Sequence, residues 1–327
     1  MQHPDPSFAR PQSLPRPTDA TGTARRVGIE VECGGLTERE LADRAASVLG
    51  GTVEPDGPYA FRVENTRIGD LKVMLDTAFR EKADSHLARL GLDWGRAVIP
   101  AEFVTDPILP EDIAQIDELC RNLRAAGATG TRDGLLLGFG THLNIAVAGL
   151  DGPSILPTVR AFALLEGWLR QRDPIDPARR LLPFVDPYPT ALTDRLAADD
   201  AAGLSLGRLM DIYLDLAPSR NHALDLLPLF RHADSERVTS ALAHAEQVSP
   251  RPAYHYRLPD SRLDEADWSI AYEWNRWCLV ERVAADAPLL EALAAAWRSH
   301  RRQILHLGRG WPETADGILR QAAEARA

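Results

Sequence analysis

Residues 27–33 constrain this chain more than any other segment: Val27, Ile29, Val31 and Cys33 alternate with Gly28, Glu30 and Glu32. In an extended strand successive side chains point to opposite faces, so the segment carries one apolar face and one acidic face. The apolar face requires a core to pack against, and the acidic face must be solvated, paired or used. The two-faced pattern returns twice. Phe139, Thr141, Leu143, Ile145 and Val147 alternate with Gly140, His142, Asn144 and Ala146, and Tyr254 and Tyr256 alternate with His255 and Arg257.

Around these strands the pattern is mixed. Helical spacing predicts helices over residues 36–49, 77–90, 154–171, 203–217, 235–247, 265–285 and 288–307. A further helix carries Ile113, Ile116, Leu119, Cys120 and Leu123 and stops at Gly127. Short strands are expected at 60–64, 70–76 and 98–105. No internal repeat and no run of βαβ units with a glycine-rich phosphate turn is present, so the reading is α+β with a mainly antiparallel sheet packed against helices. The first 23 residues are rich in proline and polar residues, and a disordered leader is expected there. One folded domain over 24–310 and a helical tail over 311–327 complete the division. The Pro-rich and Asp-rich connection at 173–193 reads as a long functional loop.

Composition limits the partners. Lys and Arg total 37 against 47 for Asp and Glu, a formal net charge of −10, and the basic residues are dispersed. Such a surface repels phosphate backbones, so nucleic acid is not an expected partner. No apolar run approaches the roughly 20 residues needed to cross a bilayer, and the first residues lack the features of a signal peptide, which points to the cytoplasm and away from membranes. The three cysteines, Cys33, Cys120 and Cys278, are odd in number and far apart, which suits reduced structural thiols rather than a disulfide framework.

If the apolar faces all pack on helices, the polar faces merge into one surface that holds Glu30, Glu32, His142, Asn144, His255 and Arg257. Glu102 joins it from the strand ending at Pro107, with Arg62 and Glu64 as further candidates. Several carboxylates in one cavity repel each other and are costly to desolvate, so a divalent ion is a natural occupant. Oxygen donors favour magnesium or manganese, an ion of the kind that also holds nucleotide phosphates, and Arg257 is placed to neutralise a transferring phosphoryl group.

These residues also carry a family resemblance. Arg26-Val27-Gly28-Ile29-Glu30-Val31-Glu32 resembles the opening Gly-x-Glu-x-Glu strand of the amidoligases, relatives of glutamate-cysteine ligase and glutamine synthetase. Ala101-Glu102-Phe103-Val104-Thr105-Asp106-Pro107 is similar to their second acidic motif, and Gly140-Thr141-His142-Leu143-Asn144-Ile145 to their Gly-x-His strand. Asn221-His222-Ala223-Leu224-Asp225-Leu226-Leu227-Pro228-Leu229 resembles their Leu-Asn-Leu-x-Pro-Leu segment, and Tyr254-His255-Tyr256-Arg257 stands where Glu-Phe-Arg is usual. The pieces occur in family order from Arg26 to Arg257.

The resemblance implies a glutamine-synthetase-like catalytic sheet. It implies an enzyme that uses ATP and magnesium, or manganese, to join a small-molecule or peptide carboxylate to an amine through an acyl phosphate. It places Glu30, Glu32, Glu102 and His142 in metal-binding positions, with His255 in that of a late Glu, makes Glu30, Glu32 and Arg257 catalytic, and gives Arg257, Asn144 and Asn221 nucleotide contacts. Two departures stand out: Asn144 replaces a second His, and His255 supplies no negative charge. Other readings stay open from the residues alone. The same carboxylate and histidine set suits a metal-dependent hydrolase, and the departures suit a relative that binds a ligand without turnover. His142 also fits a buried histidine bonded to a carbonyl, Glu102 and Arg257 fit structural ion pairs, and Asn221 fits a turn cap. The cluster Trp268, Trp274 and Trp277 reads as core packing.

Overall fold

A computed structural model describes residues 10–75, 100–131, 138–180, 185–303 and 310–326. Among them, β1 (Val27–Cys33), β2 (Thr52–Pro55), β3 (Ala60–Thr66), β4 (Gly69–Leu75), β5 (Ala101–Thr105), β6 (Thr141–Ala146), β7 (Leu224–Asp225) and β8 (Ala253–Tyr256) form one sheet. Its order is β2-β3-β4-β5-β1-β6-β8-β7, with every neighbouring pair antiparallel. The architecture is therefore mixed α+β, an eight-stranded antiparallel sheet packed with helices. The strand that opens the chain's ordered pattern lies in the middle of the sheet, where both of its edges are paired.

Register separates the two faces. Val73, Phe103 and Val31 are successive cross-strand partners, as are Ile29, Leu143, Tyr256 and Leu224. All seven are fully buried. Full burial of each such side chain stabilises by about 1.5–3 kcal/mol relative to exposure. A slip of one residue would turn this apolar row out and bury the acidic one, so the apolar face fixes the register of the other.

Helices cover the apolar side. α1 (Glu38–Leu49) is started by a capping box of Thr37 and Glu40 and ends at Gly50, whose φ of 80° suits a residue without a β-carbon. It lays Leu41, Ala42, Ala45 and Leu49 over β3, β4 and β5. α2 (Ile113–Ala125) packs on α1. α3 (Gly152–Arg172) runs beside the later helices, and the single turn α4 (Pro177–Arg180) precedes α5 (Thr190–Leu196) and α6 (Leu206–Leu216). α7 (Leu227–Ala233) lies on β8 and is followed by α8 (Ser235–Ala241). α9 (Ile270–Ala285) packs on α3 and α2, and α10 (Ala287–Arg302) and α11 (Trp311–Glu324) finish the chain. Among the described residues no helix is long and apolar enough to cross a membrane. Cys33, Cys120 and Cys278 are free and buried.

Several expectations shift by a few residues for identifiable reasons. The helix expected from 265 begins at Ile270, because Ser269 caps it and Asp117 accepts the Ile270 and Ala271 N–H groups. The one expected from 203 begins after the cap Ser205. The helix expected over 235–247 ends at Ala241, and a separate turn spans Ala245–Gln247. β2 and β7 were not anticipated: β2 is an edge strand with nearly every residue exposed and so shows no two-faced pattern, and β7 has only two residues. The helix expected over 77–90 lies outside the described residues.

The leader requires a correction from residue 10 onward. Leu14 is buried, Gln12 N–H donates to Asn275 Oδ1 at 2.9 Å, Trp274 Nε1 donates to the Gln12 carbonyl at 2.7 Å, and Asn275 Nδ2 donates to the Arg10 carbonyl at 2.8 Å. Polar groups on α9 satisfy the backbone of a segment with almost no apolar content, a docking mode that hydrophobic patterning does not reveal. The tryptophans behave as core residues: Trp268, Trp274 and Trp277 are buried, and Trp277 packs on Tyr254 and Tyr256. At the other end α11 is built into the core. Trp311 Nε1 donates to the Leu164 carbonyl, Trp168 Nε1 donates to Asp316, and Leu319 is fully buried.

Candidate active site

The cross-strand register brings most of the candidate residues to one face. Glu32 stands opposite Glu102, Glu30 opposite His142, and Asn144 opposite His255, which is in turn opposite Asp225. Directly opposed residues in an antiparallel pair share a face, with side chains about 4.5–5.5 Å apart at Cβ. Glu32, His142, Asn144 and His255 are largely buried, whereas Glu30 and Glu102 retain more access. Lys72, opposite Val104, and Arg62, opposite Lys72, lie further along this side of the sheet, close to Asp56 at 3.5 and 3.9 Å.

A hydrogen-bonded chain joins the centre. His142 Nδ1 lies 2.9 Å from Glu30 Oε2, and Asn144 Nδ2 donates to Glu30 Oε1 at 2.6 Å. Asn144 Oδ1 faces His255 Nδ1 at 2.8 Å and accepts from Arg251 Nη1 at 2.7 Å. Burial alone would raise the Glu30 carboxyl, but the hydrogen bond from His142 and the electrostatic pull of the neighbouring His255, His142 and Arg251 groups hold it well below the usual carboxylate range. An ionised carboxylate only accepts, and so does an amide oxygen. Both histidines therefore carry their proton on Nδ1 and leave the Nε2 lone pair available.

Their surroundings keep them neutral. Burial pushes His142 down to about 4, with Arg257 and Arg179 acting in the same direction and Glu30 against it. Burial likewise lowers His255 well below its ordinary value, opposed by Glu30 and assisted by Arg257. Glu30, His142 and His255 each offer one donor atom, and these lie within 4.8 Å of one another. His142 Nε2 is also 4.0 Å from Glu32 Oε1. Two neutral imidazoles beside several carboxylates form a donor set that fits a divalent cation.

Gly140 makes this arrangement possible. Its N–H donates to Glu32 Oε2 at 2.6 Å, and a β-carbon there would lie 2.8 Å from His142 Nε2 and 2.9 Å from Arg179 Nη2. Glycine lets the backbone approach both the carboxylate and the imidazole.

Arg257 follows β8. Its backbone N–H donates to the Ala223 carbonyl and its Nη1 to the Arg220 carbonyl, while its buried Nε meets no acceptor among the described residues. Burial lowers its pKa, with Asp225 pulling the other way and Arg220 and Arg179 adding to the fall. A buried guanidinium with spare donor capacity is suited to an anionic group.

Asn221 does not join this face. It sits in the turn before β7, where its carbonyl accepts the Asp186 N–H and its own N–H donates to Ser219. The position on the face belongs to Asp225, fully buried, bonded to the Leu227 N–H and raised by burial against the pull of Arg220 and Arg257. Its place in the Leu-x-Leu-x-Pro-Leu segment was the available signal. Arg179 was also missed. From α4 it donates to the Leu258, Pro259 and Arg257 carbonyls and to Asp260, tying the 173–193 connection to the strand end that carries Arg257. Arg251, between Pro250 and Pro252, gave no periodic signal.

No curated protein and no solved structure matches the chain. A family model described as "Putative amidoligase enzyme" matches residues 23–279, a span that begins just before β1 and contains every strand of the sheet and most of α9. A match over most of the chain, with its chemically distinctive residues gathered on one face of one sheet, has a direct consequence: the chain belongs to the amidoligase family, whose enzymes are of the ligase type.

Proposed function

We propose that this protein is an ATP-dependent carboxylate–amine ligase working on a glutamine-synthetase-like sheet, with magnesium or manganese held by the acidic face. The observation that carries the reading is the assembly of Glu30, Glu32, Glu102, His142 and His255 around a fixed pair of imidazole tautomers. Glu30, His142 and His255 would hold the ion, with Glu32 and Glu102 alongside. When bound, the ion neutralises phosphate charge and so favours phosphoryl transfer.

This chain's own residues supply the rest. Arg257 directs its spare donor toward the phosphates and stabilises charge on the transferring group. The γ-phosphoryl group passes to a substrate carboxylate oxygen as its bond to the ADP oxygen breaks. The amine nitrogen then attacks the acyl carbon, phosphate leaves, and the nitrogen loses a proton to give the amide. Positioning dominates, because no protein nucleophile is needed. The substrates are a small-molecule or peptide carboxylate and an amine; the net charge of −10 argues against nucleic acid. A cytoplasmic location, where ATP is abundant, suits this reading.

The test follows ADP while amines are screened against carboxylates, with Glu30→Gln and Glu32→Gln as controls. ADP release that requires both substrates and falls by about 100-fold or more in the controls is expected. Hydrolysis of an amide without ATP would select a metal-dependent hydrolase instead, and binding without product at every divalent ion concentration would select a non-catalytic relative.

A further inference from the structure

The buried arginines Arg25, Arg179 and Arg276 each end on a carboxylate, at 2.6 Å to Glu281, 3.0 Å to Asp260 and 2.7 Å to Glu273. Arg251, on the polar side of the sheet, is held differently. Its Nη1 donates to the neutral amide oxygen of Asn144 at 2.7 Å. The one carboxylate in range among the described residues is Glu30, whose Oε1 stands 3.4 Å away and already accepts from Asn144 Nδ2 at 2.6 Å. Arg251 Nε and Nη2 meet no acceptor among the described residues, and the side chain keeps 33% of its surface.

The guanidinium is fixed in place beside the donor set. Arg251 lies in the short link between α8 and β8, flanked by Pro250 and Pro252. Its N–H donates to the Pro228 carbonyl and its own carbonyl accepts the Ala253 N–H, so the backbone is tied on both sides. Ala253, the next residue on this face, pairs with Ala146, and neither strand fills the space there with a large side chain. Glu30, His142 and His255 offer donor atoms within 4.8 Å of one another, and Arg251 touches this group through Glu30 and Asn144. A divalent ion on that set takes up the charge of Glu30, and Arg251 is then a second cation beside it. Neighbouring like charges are unfavourable in a partly buried site, and an anion that touches both relieves them.

We propose that Arg251 anchors the acid substrate: its free Nε and Nη2 edge takes the carboxylate in a two-point hydrogen bond beside the ion site, while Arg257 serves the phosphates. The inference rests on the ligase reading given above and adds where on the face the acid enters. A guanidinium edge matches a carboxylate with two parallel N–H donors, which the ammonium of lysine does not reproduce. The proline-flanked backbone sets the guanidinium in advance, so little order is lost when the carboxylate binds.

Labelling of the full-length wild-type protein with phenylglyoxal, read by peptide mass spectrometry, tests this without turnover or mutation. With magnesium present, at least one of acetate, glutarate and benzoate is expected to slow the labelling of Arg251 by about five-fold or more, while the exposed helix residues Arg39 and Arg208 label as before. Calorimetry supplies a second readout. The affinity for the protecting carboxylate should fall by about ten-fold or more in both Arg251→Met and Arg251→Lys, since lysine keeps the charge and loses the fork. Affinity for the magnesium complex of a non-hydrolysable ATP analogue should change less than about two-fold. Circular dichroism melts check that both variants are folded. Labelling of Arg251 at one rate with and without every carboxylate, or an Arg251→Lys protein that binds the carboxylate like the wild type, would overturn the role of Arg251; intact nucleotide binding would then leave the ligase reading standing. A wild-type protein that binds no magnesium-nucleotide would overturn the ligase reading, and with it the assignment of the anchored group as the acid to be joined.

Discussion

Glu32 of β1 and Glu102 of β5 stand directly opposite one another in the antiparallel ladder. Like charges so placed destabilise a sheet by roughly 0.2–1 kcal/mol. A cation shared by the two carboxylates relieves that repulsion. Glu102→Gln removes one of the two charges that such a cation would join. Saturating magnesium is therefore expected to raise the stability of the wild type more than that of Glu102→Gln. Thermal melts with and without the ion measure this, and a Glu102→Gln protein that responds to magnesium like the wild type would remove Glu102 from the site.

Gly140→Ala should be far more damaging than its size suggests. The added carbon meets His142 Nε2 at 2.8 Å and Arg179 Nη2 at 2.9 Å, two groups held by their own hydrogen bonds. A loss of about 1–3 kcal/mol is expected from overpacking. Divalent ion binding should weaken by at least ten-fold, read by calorimetry on the folded fraction; unchanged ion affinity would show that His142 Nε2 is not used.

Arg179, 1% exposed, donates to three backbone carbonyls and pairs with Asp260. Its truncation in Arg179→Ala leaves the buried Asp260 carboxylate without its counter-charge and the Leu258 and Arg257 carbonyls without this donor. The expected cost is about 3–5 kcal/mol in urea denaturation. A loss below about 1 kcal/mol would mean that water replaces the guanidinium.

The pH dependence of stability should carry a signature of Asp117. Burial pushes its carboxyl up to about 6, against the two N–H groups it accepts at the start of α9. The folded chain then binds this proton more tightly than the unfolded chain does, whose value is near 3.8. The contribution is fully present below the unfolded value and is lost as pH rises through the folded one. Wild type should therefore lose on the order of 2–3 kcal/mol between pH 4 and 6 relative to Asp117→Asn. Parallel denaturation series over that window check it, and a constant difference between the two proteins would refute the shift.

The sequence was most readable where a short period coincided with chemistry. Alternation in β1, β6 and β8 placed Glu30, Glu32, His142, Asn144 and His255 on polar faces, and the antiparallel order made those faces one. What escaped it has physical reasons. Asp225 lies in a two-residue strand, too short to show a period. Arg179 and Arg251 come from connections whose backbone follows proline geometry rather than a repeating pattern, and their targets are carbonyls and an amide that no spacing rule announces. Asn221 was assigned on the resemblance of its segment, and the turn that holds it leaves the face to a residue further along.

The docking of residues 10–14 on α9 bears on where this protein can be shortened. The family match starts at residue 23, and a truncation made there would strip Trp274 Nε1 and Asn275 of their acceptors and uncover the thiol of Cys278, which rests on the Gln12 carbonyl. The trimmed protein would carry a newly wetted indole, an unsatisfied amide and an oxidisable sulfur along one helix. The homology boundary and the mechanical boundary of this enzyme are thus different places in the chain.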